Sequence, residues 1–483
     1  MTIKTRYILI LMVLAILTAL ALSTCFTSYS GGTGTIVINI GGGNSRAAFE
    51  PVEIKAFTHT ITLTGPGETQ TKTIEGEGSV EFELIPGMWN IDVRAVGKTL
   101  DDYFDEDFLN ANFPTTMLRA LSRETVEIKT GPNKPADIKM ESATEVKSSK
   151  QLVAAIDIAR NHSRKEVILI SEDIVFERLD SPPNIDLGSN ITFLADKPVK
   201  ITFPSGGSTF SIGVYNNATL TLGRKGMSGH LTIDGNNSMW ELFLVNEAEL
   251  IMEEGVTLQN NNSRAVNVSG FDDGSKVIPG YFTMNGGEIS NNKAWEGGGV
   301  IVYQYGIFTM NGGKISGNKA NDGGGVYVGA SGTFTMKEGS TISGNTADNN
   351  GGGVYVNNNG FDYEGKFYME GGTISGNTAE YCGGGVYVAG DIIQYGTNSG
   401  IFIKTGGIIY GSIKDEILRN RAVQGVMSPS AEEVFGHAAL VDCNINMSQF
   451  YGYKKERNPT AGNDVNLNAA TDDQWKKIGF SII

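Results

Sequence analysis

Residues 281–388 decide the fold. They read YFTMNGGEISNNKAWEGGGVIV (281–302), IFTMNGGKISGNKANDGGGVYV (307–328), TFTMKEGSTISGNTADNNGGGVYV (333–356) and KFYMEGGTISGNTAEYCGGGVYV (366–388). Phe282, Phe308, Phe334 and Phe367 recur at intervals of 26, 26 and 33 residues, with Met284, Met310, Met336 and Met369 in the same register. Ile289, Ile315, Ile342 and Ile374 follow, then Val300, Val326, Val354 and Val386 behind a glycine triplet. Each unit thus carries three short strands with alternating apolar positions, and three turns. One unit cannot bury its apolar face alone. Wound into a coil and stacked on its neighbour at ~4.8 Å, it pairs every strand in parallel and piles like on like inside. The glycine triplets suit a bend where backbones pack closely. Asn292, Asn318, Asn345 and Asn377 hold one turn position, which predicts an amide ladder running from coil to coil.

Weaker coils extend the pattern upstream at 166–170, 190–194, 218–222 and 248–258, and downstream at 401–409, with Gly436-His437-Ala438 in the place of a triplet. The solenoid is therefore assigned to 141–483. Residues 148–161 predict a helix with Leu152, Ile156 and Ala159 on one face and Ser148 or Ser149 as its cap. Its place before the first coil suits a lid over an otherwise open stack. Residues 35–140 read as seven or eight short alternating strands separated by Gly or Pro turns, a small Ig-like β-sandwich. Within it, Glu83-Leu84-Ile85-Pro86-Gly87-Met88-Trp89-Asn90-Ile91-Asp92-Val93 resembles the hairpin of transthyretin-like modules, which implies a spacer. The acidic stretch 101–107 lacks the spacing of a calcium loop and reads as a solvated insertion.

Residues 1–25 read as a targeting segment: Lys4 and Arg6 precede an apolar run from Tyr7 to Leu22. Leu22-Ser23-Thr24-Cys25 resembles a bacterial lipobox, which implies lipidation of Cys25. Cleavage after Ala19-Leu20-Ala21 and an uncleaved anchor are the alternatives, and all three export the remainder. Residues 26–34 form a small-residue tether. Counting Cys382 and Cys443 in repeat register leaves eight extended residues between them, ~26 Å, against the ~7 Å a disulfide spans. Two free thiols are expected.

The passage 281–388, with its Gly-Gly-Gly-Val and Ser-Gly-Asn-Thr-Ala phrases, resembles the right-handed parallel β-helix of the pectin-lyase-like superfamily. It is similar to the repeats of chlamydial polymorphic outer-membrane proteins and of spirochaete surface lipoproteins. Residues 455–468 look like the closing coil of such proteins. The resemblance implies an all-β fold, a right-handed parallel β-helix after a small sandwich, in a protein of the outer membrane or cell surface. The chlamydial proteins end in a membrane barrel that this chain does not show before Ile483, so attachment is expected through the N-terminal lipid.

Chemistry is harder to find. The chain has 38 basic and 53 acidic residues and a net charge of −15, which excludes the clustered cations of nucleic-acid binding. Asp272-Asp273 is similar to the paired aspartates of polygalacturonases, but the companion phrases are missing, and the pair reads as a solvated loop. His59, His162, His230 and His437 are scattered, and no nucleophile triad, phosphate loop or zinc spacing occurs. No catalytic, metal or cofactor residue is assigned. Two rows remain as candidates. Glu296, Asp322, Asp348 and Glu380 precede the triplets as an acidic edge, either solubilising or cation-binding. Tyr327, Tyr355 and Tyr387 sit between inward valines as an expected exposed stripe for contact with sugars or protein. The expected function is a non-catalytic, lipid-anchored envelope adhesin or binding rod for host or envelope glycans or proteins. The alternative is a polysaccharide lyase or glycoside hydrolase of the same fold.

Overall fold

The structure is a computed structural model, and it describes residues 32–40, 57–97, 118–162, 165–177, 182–186, 188–205, 211–227, 229–357, 364–389, 401–409, 421–422 and 439–441. Cys25, the acidic stretch 101–107, His437, Cys443 and the phrase 455–468 lie outside these residues. The chain divides into two compact units, Met1–Lys98 with Leu118–Glu141, and Thr99–Met117 with Ser142–Ile483.

In the first unit, Gly34–Ile40 pairs antiparallel with Gly78–Leu84, and short parallel segments at Gly131–Pro132 and Ala136–Asp137 border it. Thr58–Thr64 pairs antiparallel with both Gln70–Glu75 and Gly87–Val96, which in turn pairs with Leu118–Ile128. Alternation places Ile36, Ile38, Phe82, Ile61, Trp89 and Val93 in one buried cluster. The Trp89 indole is anchored by a 2.9 Å hydrogen bond that its Nε1 donates to the Ile85 carbonyl. Gly87 permits the hairpin: its φ is 141°, and a Cβ there would lie 2.7 Å from Pro66.

The second unit is a parallel β-solenoid, built as three long sheets that each coil crosses in turn, with a fourth short parallel sheet through Lys319–Ala320, Thr346–Ala347, Thr378–Ala379 and Arg421–Ala422. Phe282, Phe308, Phe334, Phe367 and Phe402 are register partners in the first sheet. Their rings stack at 4.7, 4.7, 4.7 and 4.9 Å. The methionines keep the same ladder, Ile289 to Ile409 align in the second sheet, and Val300 to Val386 in the third. These side chains, with those of the upstream coils, form one buried cluster. Burying a Phe or Ile contributes roughly 1.5–3 kcal/mol, and in a stack each is buried by its equivalent above and below.

The expected helix spans Ser149–His162. The Ser148 hydroxyl accepts the Gln151 amide at 3.3 Å, and Leu152, Ala155, Ile156 and Ala159 join the solenoid core. The asparagine ladder is present and buried. Asn292, Asn318 and Asn345 each donate from Nδ2 to Oδ1 of the next asparagine at 3.0, 3.0 and 2.9 Å. Each also donates its backbone N–H to that same oxygen. Asn261 extends the ladder one coil upstream by donating its N–H to Asn292 Oδ1 at 3.1 Å. Among the described residues, no helix is long and apolar enough to cross a membrane.

Cys382 corrects the expectation of free thiols, because it is disulfide-bonded. The expectation assumed a straight path, whereas the chain turns a corner immediately after Cys382, where Gly383 has a φ of 64°. Displacement along a strand does not measure distance across a bend.

Candidate functional site

The tyrosine row forms, but two of its three members are buried and only Tyr355 is part-exposed. Tyr327, Tyr355 and Tyr387 are register partners in the third sheet. Their rings lie 5.0 Å apart in both steps, with interplanar angles of 3° and 32°. Yet Tyr327 is only 4% exposed and Tyr387 only 7%. The glycine corners cover them. A Cβ on Gly323, Gly351 or Gly383 would lie 3.0, 2.8 or 2.6 Å from the Cβ of Tyr327, Tyr355 or Tyr387. The turn backbone therefore folds back onto the outer face of the strand. The row packs beneath the turns.

The acidic edge divides in two. Glu296 and Asp322 share one bridged position, and Asp322 accepts from the Asn350 backbone N–H at 3.1 Å. Asp348 and Glu380 sit earlier in the turn, where their amides bond to Ala320 and Ala347, and Asp348 forms an ion pair with Lys319 at 2.7 Å. Asp272 and Asp273 lie on an exposed hairpin. Asp273 is held below the usual carboxylate range by hydrogen bonds from the Ser275 hydroxyl and from the Ser275 and Lys276 amides. Among the described residues, no three His, Cys, Asp or Glu side chains gather as metal ligands.

One cavity of about 350 Å³ opens on the outer face of the third sheet, at the upstream end of the tyrosine row. Asn267, Ile301 and Tyr327 are aligned by strand pairing and form its floor. Their outward direction follows from the inward Val266, Val268, Val300 and Val302 on either side. Arg264 and Glu296, from the turns that lead into these strands, line one side. Ser269, at the end of the Asn267 strand, Tyr303 and Gln304, which follow the Ile301 strand, and Asn357, which follows the Tyr355 strand, line the other. Tyr303 is seated over Gly329, where a Cβ would come within 2.5 Å of its ring. Gln304 and Tyr305 take left-handed φ values of 41° and 63°, so the chain reverses tightly beside the cavity.

The electrostatics centre on Arg264. Its Nε is buried and has no hydrogen-bond partner. Burial draws the guanidinium below its usual range, and Glu241 and Glu296 oppose that shift. Glu241 is buried in the preceding coil, where its Oε1 accepts from Asn267 Nδ2 at 3.5 Å. Burial and, secondarily, Glu296 raise the Tyr327 phenol, so it stays neutral; its oxygen accepts from Asn357 Nδ2 at 2.6 Å. The cavity therefore offers donors and acceptors of both kinds around a half-buried guanidinium whose Nε is buried.

Two tryptophans flank this turn. Trp240 precedes Glu241 and is 45% exposed, whereas Trp295 precedes Glu296 and is 72% exposed. They occupy the coils on either side of the one that carries Arg264. Of the candidate residues predicted from sequence, only Glu296 and Tyr327 line the cavity. Arg264, Glu241, Trp240 and Trp295 escaped that reading because none of them repeats. Their signal was the reverse: Trp240 and Trp295 are two of only four tryptophans, and the Arg264 turn lacks the glycine triplet of the coils that follow.

Compared with family models, curated proteins and solved structures, the chain has no significant match in any of the three.

Proposed function

We propose that this chain is a non-catalytic binding rod of the cell envelope, exported by its N-terminal segment and anchored through a lipid on Cys25. This reading treats it as an adhesin-like relative of the pectin-lyase-like surface proteins that its repeats resemble, with the solenoid as the binding element. The observation that carries it is the cavity built around Arg264. A charged donor buried without an acceptor costs about 1–3 kcal/mol or more, and a ligand oxygen would recover that loss. Hydroxyl-rich ligands match the mixture of donors and acceptors there.

The test is retention of the full chain on immobilised glycans and envelope proteins, with Arg264→Met as the comparison. Retention that drops at least tenfold in the variant supports the proposal, and equal retention rejects this cavity as the binding site. Lipidation is separate: palmitate labelling should disappear in Cys25→Ala, and persistent labelling would remove the anchor from the proposal.

A second reading, a carbohydrate-active enzyme, is favoured by one observation, the two carboxylates of Glu241 and Glu296 acting on one cavity cation. Hydrolases and lyases need such groups close to the bond they cleave. New reducing ends or unsaturated products that vanish in Glu296→Gln would establish it over the binding rod.

A further inference from the structure

Resting on the binding reading above, we infer that the ligand is a neutral, extended polysaccharide strand that runs along the solenoid axis over Trp240 and Trp295 and turns one ring's hydroxyls into the cavity beside Arg264. Three observations lead there. The first is the exposure of the two tryptophans, 45% and 72%, in the turns that lead into the third sheet. Their coils lie two strand spacings apart, about 9.6 Å, so together they offer two aromatic landings along the axis. Pyranose rings present C–H faces that pack on indoles, and a strand bearing several rings can use both at once.

The second is the lining of the cavity, to which the neighbour of Trp295, Glu296, belongs. Arg264, Glu296, Asn267 and Gln304 bring planar hydrogen-bonding groups that suit adjacent hydroxyls, and Ser269 adds a small hydroxyl. The volume of about 350 Å³ is at the low end of the range for small-molecule sites, large enough for a ring or two and too small for a folded partner's side-chain cluster. The third is charge. One cation faces two carboxylates, Glu241 and Glu296, in a chain of net charge −15. A uronic-acid polymer would meet repulsion at the cavity and from the chain as a whole, whereas a neutral strand would not.

The experiment titrates the full chain with cellohexaose, β-1,4-mannohexaose and hexagalacturonate, following tryptophan emission and calorimetric heat. A neutral hexasaccharide should bind and blue-shift the emission. Trp240→Ala and Trp295→Ala should each weaken binding about tenfold, in line with the energy of one aromatic contact. Tyr381→Ala removes another exposed ring, which lies beyond the cavity in a later coil, and should leave binding unchanged. Tighter binding of hexagalacturonate, or binding of a neutral hexasaccharide untouched by both tryptophan substitutions, would overturn the inference while leaving the binding rod intact. Equal affinity for cellobiose and cellohexaose would overturn the extended strand. Absence of binding to all three probes, with retention on envelope proteins, would overturn the saccharide class. Bond cleavage of a probe would instead overturn the binding rod itself.

Discussion

At the scale of single residues, the buried asparagines show how a polar group can hold an apolar stack together. Asn345 Oδ1 accepts both the backbone N–H and the Nδ2 of Asn318, and its own Nδ2 donates to the Ile315 carbonyl at 3.0 Å. Removing that amide strands several buried groups at once, each costly without a partner. Asn345→Ala should lose about 3 kcal/mol by urea unfolding. Asn311→Ala breaks only the exposed 2.9 Å bond to Asn285 and should lose about 0.5 kcal/mol or less. Equal losses would mean the buried ladder adds nothing. His59, in the first unit, carries a pH dependence. Burial holds the imidazole below its usual range, against weaker opposing effects of a Gly76 backbone hydrogen bond and Glu75. The unfolded chain therefore binds the proton more readily. Its contribution is complete above the unfolded value near pH ~6.5 and is lost as pH falls toward the lowered folded value. Urea midpoints should drop as pH falls below about 6.5, and His59→Leu should flatten that slope. An unchanged slope would assign it to other groups.

At the scale of the element, the glycine corner combines two separable demands. Gly344 has a φ of 66°, but a Cβ there meets nothing closer than 4.0 Å, so only the backbone conformation requires glycine. Gly324 has no such φ, yet a Cβ would come within 2.5 Å of the carbonyl oxygens of Gly352 and Thr346. Gly344→Ala should cost about 1 kcal/mol, and Gly324→Ala about 3 kcal/mol because the two coils must part. Thermal unfolding of the pair checks this, and a larger loss at Gly344 would contradict the steric account. The same corners explain why the tyrosines were expected in the open. Alternation along the strand correctly points Tyr327 outward, but what lies over it depends on how the preceding turn folds back, and no periodicity encodes that.

At the scale of the whole solenoid, each coil is stabilised by its two neighbours, so damage should spread locally rather than globally. Phe334 stacks at 4.7 Å on both Phe308 and Phe367. Phe334→Ala should cost about 3–5 kcal/mol. Hydrogen exchange should rise in Gly306–Met310, Thr333–Met336 and Lys366–Met369, while Thr219–Leu222 remains protected. Uniform loss of protection would show one cooperative unit instead of a nearest-neighbour stack.

The repeat alone was enough to determine the parallel coil, the phenylalanine, methionine and isoleucine registers, and the asparagine ladder. Those features need only that identical units stack at the strand spacing, which places each residue over its own equivalent. The candidate site was decided by tertiary structure, because it lies where equivalence fails. Arg264 stands in a turn without the triplet, Trp240 and Trp295 come from different coils, and Asn357 reaches Tyr327 from 30 residues away in sequence. Winding brings such residues within one or two strand spacings of each other, and only that winding makes a cavity of side chains that share no period.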